Sequence, residues 1–360
     1  MEPALNQPAS FSEGAVGSRV RLRFHGRGEE YFGIWIVNLL LSILTLGIYS
    51  AWAKVRRLKY FHGATELDGA RCDYHADPVQ ILKGRLIGLG LFTLYNVAWD
   101  FSLIGGVLML VLMTVMLPLL LRASFRFHAR NSSYRGLRFG FEGGVAQAYR
   151  VFLLGPALAL LTLGIAAPWA CREIKAYQHG ASRFGASRFS FDAPLSGYWR
   201  VFGVVLLALI ATPMLMAGVF SLLGVDELPA DDSGARVEWV ALRVMLVVAV
   251  LGAVFFALGP YLAARLQNLN WSATGIDSFR FHSHVQARAL LWVRLTNLLL
   301  VVATLGLFKP WADIREARLR VQSVSLVGDG DLDAYLRGAL QDERALGEEA
   351  AEWFDLDIGF

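Results

Sequence analysis

Few residues of this 360-residue chain stand where chemistry could be done. His282 and His284 form an HxH pair, and His25, His62, His128 and His179 lie near the ends of apolar runs. Two imidazoles hold a transition metal only if folding brings a third ligand, and nothing in the spacing supplies one. These histidines read as interfacial groups bonded to backbone or headgroups, and no metal site is expected. There is no HExxH, GxSxG or P-loop, and no GxGxxG that opens a helix. No catalytic residue, cofactor or enzymatic activity is therefore expected. Cys72 and Cys171 fit no disulfide framework and read as structural thiols. What remains is a polar set inside apolar sequence: Asn38 and Asn297, with Thr45, Thr162 and Thr304. An amide in hydrocarbon is costly unless it is bonded. This set either lines a polar path or makes helix-to-helix hydrogen bonds of modest strength.

The elements that carry these residues repeat. TLGIYSAWAKVRR from Thr45 returns as TLGIAAPWACREIK from Thr162 and as TLGLFKPWADIREARLR from Thr304. Each copy has an apolar lead-in, a break at Gly47, Gly164 or Gly306, and a Trp-Ala pair at Trp52, Trp169 or Trp311. A charged stretch closes each copy. Pro168 and Pro310 precede the Trp in two copies, and Ala51 takes that place in the first. Asn38 and Asn297 stand equally far before their threonines, where the middle copy has Gly155. Gly ends a helix readily and Pro suits the first turn of the next, so each copy predicts a broken helix. The Trp residues read as belt residues or anchors between units.

Composition places these units in a membrane. The chain is 55% hydrophobic and only 18% charged, with mean hydropathy +0.45. The runs 101–121, 201–223 and 244–264 have the length that crosses a bilayer, about 20 residues. A shorter run, 86–98, precedes the first of them. The N-terminus lacks the basic and apolar regions of a cleaved signal peptide. RVRLRF from Arg19 alternates like a strand. Hairpins are expected around Asp68-Gly69, in SYRGLRFGFEGG, in ASRFGASRFSFDAP and in NWSATGIDSFRFHSH.

The expected organisation is a mobile tail over 1–18, a repeat unit with a helix pair over 19–121, and a second over 122–264. A third unit follows over 265–334, with an acidic tail over 335–360. The fold class expected is a mainly α polytopic membrane protein with an internal threefold repeat, broken at the TLG and Trp-Ala motifs, with small cytoplasmic β-hairpins.

Charge orders the topology. Basic segments flank every TLG unit, for example Arg19, Arg21 and Arg23 before the first and Lys54, Arg56 and Arg57 after it. The non-basic connectors are the turn at Asp100 and the acidic loop 226–238. Putting the basic segments in the cytoplasm makes each unit enter and leave on one face, with four true spans. The rival is seven spans with hairpins on alternating faces. The net charge of +4 reads as topology and headgroup signals, and no nucleic-acid partner is expected.

TLGIYSAWAKVR, its two echoes and the NSSYRGLRFGF connector resemble the YjgN family of bacterial inner-membrane proteins, the domain of unknown function 898. The resemblance covers nearly the whole chain and implies the bacterial inner membrane. It carries over no activity, substrate or catalytic residue. The first copy departs from the Pro-Trp-Ala form at Ala51.

Two functions follow as expectations. One is a transporter-like or channel-like protein with a polar path between the units, because broken helices and intramembrane amides frame such sites. The other is a scaffold whose β-layer binds a protein partner, by strand addition for example. The lipid bilayer, with anionic headgroups at the arginine clusters, is the partner common to both.

Overall fold

The computed structural model describes residues 18–223, 233–328 and 332–341. The N-terminal tail expected before them, most of the acidic loop at 226–238 and the end of the acidic tail lie outside the described residues. The chain opens with β1 (Ser18–Arg21) and β2 (Arg23–Phe24). From there it alternates helical pairs with strand pairs. The first helical pair is α1 (Gly28–Leu44) and α2 (Ser50–Gly63), followed by β3 (Thr65–Leu67) and β4 (Ala70–Tyr74). Next come α3 (Pro78–Phe101), α4 (Leu103–Arg130), β5 (Ser132–Tyr134) and β6 (Leu137–Phe141).

The third helical pair begins with α5 (Val145–Tyr149), a π-helical turn (Arg150–Leu154) and α6 (Gly155–Leu161), and is completed by α7 (Ala167–Gly180). After β7 (Ser182–Phe184) and β8 (Ser187–Phe191) come α8 (Leu195–Leu222) and α9 (Ser233–Ser272), then β9 (Thr274–Ile276) and β10 (Phe279–Ser283). The last pair is α10 (Ala287–Ala303) and α11 (Lys309–Gln322), ending in β11 (Val324–Gly328). A helix over 332–341, α12, follows.

The strands form one antiparallel sheet in the order β1-β11-β10-β9-β8-β7-β6-β5-β4-β3-β2. Its two ends are consecutive in the chain, joined at Leu22, so the sheet is nearly closed into a barrel. Leu22 N–H donates to the Val324 carbonyl at 3.1 Å on one side, and His25 N–H donates to Ala64 at 2.8 Å on the other. This corrects the expected fold class. The hairpins are all present, but they are not small separate appendages of a helical protein. Each strand has only two to five residues, and a lone hairpin of that size is marginal in water. Pairing edge to edge satisfies their backbone groups and leaves no free edge. The three TLG units are likewise alternate members of a five-member series of helical pair and strand pair.

Local chemistry explains the series. Asp68-Gly69 and Arg135-Gly136 have positive φ at both central residues, the type I′ geometry that matches strand twist. Thr65, Ser132, Ser182 and Thr274 occupy one position in four successive hairpins. Each hydroxyl donates to the carbonyl four residues earlier, at 2.7 to 3.0 Å, and closes the preceding helix. Cys72, Phe139, Phe189 and Phe281 turn inward from the alternating strands, while Arg71, Arg138, Arg188 and Arg280 turn outward.

The helices hang from one side of this ring. The long pairs, α3 with α4 and α8 with α9, are the four candidate spans by length and composition. Little or none of their apolar windows is buried, from 0% in α3 to 17% in α4. The three TLG pairs are shorter and turn back at their breaks. All their ends enter the same sheet, as the same-side arrangement with four spans requires.

The tips of the TLG pairs test this. Leu46, Leu163 and Leu305 are 94 to 95% exposed and sit at φ of 48 to 50°. A left-handed leucine costs about 1–2 kcal/mol. Moving its side chain from water into hydrocarbon returns about 1.5–3 kcal/mol, a gain of the size needed to offset the strain. A single cysteine at Leu46, Leu163 or Leu305 should resist an impermeant maleimide from either face of the membrane. Cysteines at Asp68 and Asp277 should react only from the face opposite to one at Ser102. Labelling of Asp68 and Ser102 from one face would overturn the arrangement.

Candidate functional site

The TLG break is a helix-ending motif with an unusual residue in it. In the first copy, Leu46 N–H donates to Ile43 and Gly47 N–H to Ser42. The same pair recurs from Leu163 to Leu160 with Gly164 to Ala159, and from Leu305 to Val302 with Gly306 to Val301. This is the Schellman pattern, with leucine at the left-handed position and glycine after it at φ near 90°. Glycine is required there because a side chain at that φ would strain the backbone.

The threonines complete the break. Thr45 Oγ1 donates to the Leu41 carbonyl at 2.7 Å and accepts from Tyr49 N–H at 2.9 Å. Thr162 does the same between Leu158 and Ala166, and Thr304 between Leu300 and Phe308. Each hydroxyl therefore adds a second bond to a carbonyl that already accepts from the threonine's own N–H, and satisfies an orphan N–H at the start of the next helix. Pro168 and Pro310 are fully buried in the first turn of α7 and α11, and Ala51 is buried in α2. Trp311 packs on Phe32 at 5.0 Å between ring centres, joining the last TLG unit to the first, and Trp52 stacks on Tyr49. Trp169 is half-buried in the first turn of α7.

Asn297 joins the two helices of its own pair. Its Nδ2 donates to the Ala312 carbonyl at 3.1 Å, and its Oδ1 accepts from Arg315 at 2.7 Å. Asn38 is buried at the matching place, but its Oδ1 has no hydrogen-bond partner. Gly155 takes that place in the middle copy and lies against Ala170. The expected polar set is thus brought together within the first and last TLG pairs, threonine at the tip and amide at the helix contact, while the middle pair has the threonine alone. The bonds of the threonines and of Asn297 stay inside their own pair.

An apolar concavity lies elsewhere, inside the ring of strands. It has a volume of about 390 Å³. Tyr134, Phe139, Phe184, Phe189, Phe279 and Phe281 line its wall, with Cys72 and Ile276. Leu332, Tyr335 and Leu336 of α12 cover one part of it. Gln178, His179 and Trp271 line it where α7 and α9 end. α12 is held by Arg135, whose guanidinium bonds both the Asp333 carboxylate and the Asp68 carbonyl, the latter at 2.6 Å. Sequence reading missed this site. The alternation of aromatics in LRFGF, SRFSF and FRFHS was its only signal.

The lining is kept uncharged. Burial pushes the Cys72 thiol up to about 11 and the Tyr134 phenol up to about 12, so both stay protonated at neutral pH. Burial, aided by Lys175, pushes His179 down to about 4, so its imidazole stays neutral, and Thr274 bonds it at 3.0 Å. A cavity with these walls suits an apolar ligand. It offers neither a thiolate nucleophile nor an imidazolium. No group of three or more metal-ligating side chains occurs among the described residues.

The two asparagines should respond differently to substitution. Asn297→Leu breaks two bonds and is expected to lower unfolding stability by about 1 kcal/mol. Asn38→Leu removes an unpartnered carbonyl oxygen and should be neutral or stabilising, because no bond is lost. Thr304→Val should cost about 1 kcal/mol by freeing the Phe308 N–H. Thermal unfolding in detergent reads all three, and equal losses for both asparagines would contradict these roles.

Comparison with known proteins places this chain among inner-membrane proteins. The model of the family described as "Bacterial protein of unknown function (DUF898)" matches residues 19–353. The chain is 26% identical over 387 aligned residues to the inner membrane protein YjgN of Salmonella typhimurium, covering 94% of this chain and 95% of that protein. It is 34% identical over 143 residues to the proteins of that name from Escherichia coli O157:H7 and strain K12, covering 39% of this chain and 36% of each. No solved structure matches. With its four apolar helices able to span a bilayer, the chain is a multi-pass inner-membrane protein and belongs to the bacterial family of unknown function DUF898.

Proposed function

We propose that this protein binds an apolar or amphiphilic molecule from the bilayer and passes it through the ring of strands, a transport-like role. The observation that carries this reading is the uncharged aromatic cavity inside the ring, which reaches Gln178, His179 and Trp271 where helices meet strands. Its volume of about 390 Å³ falls within the range of small-ligand pockets, roughly 300–1,000 Å³. The helices beneath it support the reading. Among the described residues, substantial helix packing runs between chain neighbours and between α1 and α11, so the helices form a ring and do not fill its centre. The two spanning pairs present apolar side chains such as Leu86, Phe92, Val244 and Phe255 on open surface. Lipid can therefore reach the space below the barrel between the shorter TLG tips.

This reading replaces the polar path. The threonines and Asn297 are occupied by their own helical pairs, which leaves them little capacity for a passing solute. Strand addition to a protein partner is also poorly served, because the sheet's two ends are joined at Leu22.

The test is binding of a fluorescent apolar probe such as N-phenyl-1-naphthylamine to the purified protein, with extraction of co-purified lipid. Cys72→Phe and Ile276→Trp fill the cavity and should weaken binding at least about tenfold, a loss of about 1.4 kcal/mol. Overpacking costs about 1–3 kcal/mol of stability, so thermal unfolding is measured alongside. Asn38→Leu should leave binding unchanged. If only Asn38→Leu alters binding, the polar path returns and the cavity reading fails.

A further inference from the structure

We infer a second site, on the outer face of the ring, that takes a phosphate group. Arg126 and Arg130 at the end of α4, Arg138 of β6 and Arg183 of β7 line one groove of about 650 Å³. Glu142 lines it too. Its carboxylate pairs with Arg183 at 3.3 Å and with the neighbouring Arg188 at 2.5 Å. Among the described residues no carboxylate lies within ion-pair distance of Arg126, Arg130 or Arg138. Four guanidinium groups around a single carboxylate leave an excess of positive charge, which an anion in the groove would relieve. Phosphate fits because its oxygens match the guanidinium fork two at a time.

The groove is built at one place in the series. Gly140 faces Arg183 in the sheet register, and the Arg183 side chain lies across it. A Cβ on residue 140 would stand 2.4 Å from Arg183 Nε. The other hairpins carry Asp73, Ser190 and His282 at the position of Gly140. At the positions of Arg126 and Arg130 they carry Lys59 and Gly63, Ala176 and Gly180, and Asn268 and Ser272. A signal for membrane orientation needs only basic residues near the spans, at any seam. It does not explain two arginines, a glycine cradle and two strand arginines converging on a single one.

Geometry sets the source of the phosphate between two choices. Arg126 and Arg130 lie in the last two turns of α4, a helix of 28 residues, or about 42 Å at 1.5 Å per residue. A hydrocarbon core of about 30 Å leaves its final turns at the headgroup layer. The phosphate therefore belongs either to an anionic lipid headgroup or to a soluble phosphate compound that reaches the same layer.

The experiment uses the full chain in nanodiscs and two probes. One is inorganic pyrophosphate added to phosphatidylcholine discs. The other is phosphatidylglycerol included in the discs, with retained lipid counted by native mass spectrometry. Arg126→Gln with Arg138→Gln should weaken binding by at least about tenfold per guanidinium removed, from about 1.5–3 kcal/mol for each charged bond. Arg71→Gln with Arg280→Gln removes the same charge from other seams and should leave binding unchanged. Gly140→Val should weaken binding with no change of charge. Binding of pyrophosphate alone, or of the lipid alone, identifies the source and supports the site. Binding of neither, or an equal loss in the Arg71 and Arg280 control, overturns it. Arg130→Gln, at an exposed helix end, serves if the double variant does not fold.

Discussion

Every helical pair in this protein must start and finish at one ring of short antiparallel strands. That constraint comes from backbone hydrogen bonding. Strands of two to five residues are too short to persist as isolated hairpins, and an open row of them would leave two bare edges. The chain removes both edges with its first segment. β1 pairs with β11, β2 pairs with β3, and Leu22 bridges them by donating to Val324. The first and last modules thereby become neighbours, which also lets α1 pack on α11 and Phe32 on Trp311.

A ring of this kind dictates what the helices do. Each pair must return to the side it left, so an odd number of crossings within a pair is excluded. The long pairs meet this demand by crossing twice, with a turn at Ser102 between α3 and α4. The TLG pairs meet it by turning back early. Their break sets backbone strain at a leucine against placing that leucine in hydrocarbon, while the threonine hydroxyl links the end of one helix to the first free N–H of the next. Apolar tip, Schellman turn and threonine bridge thus solve one problem together. The ring encloses an aromatic cavity on its inner face and displays arginine on its outer face, because strand side chains alternate.

Much of this could be read from residue order. The three TLG copies, the four hairpins and the apolar spans all carry local signals, and each appears where its signal lies. RVRLRF from Arg19 reads as one strand but forms two, β1 and β2, and nothing local says that it bends at Leu22 to serve two neighbours. Closure is a long-range property, set by the register between Arg21 and Ser325 and between Arg23 and Glu66. The cavity was hidden for the same reason, since the aromatics of LRFGF and FRFHS become one lining only when the ring closes. For the polar set, residue type reveals an amide in an apolar run and allows a helix-to-helix bond, but does not name the Ala312 carbonyl and Arg315 side chain that Asn297 meets across its own helical pair.

Closure can be measured directly by cross-linking in native membranes. Cys72→Ser and Cys171→Ser provide the background for two engineered pairs, Arg21→Cys with Ser325→Cys and Arg23→Cys with Glu66→Cys. Residues directly opposite in an antiparallel pair have Cβ atoms about 4.5–5.5 Å apart, within reach of a disulfide after small adjustment. A closed ring requires both pairs to oxidise readily, and to do so together in one molecule. If either pair stays reduced while the other cross-links, the strand at the N-terminus serves only one neighbour, and the ring that holds every helical pair to one face does not exist.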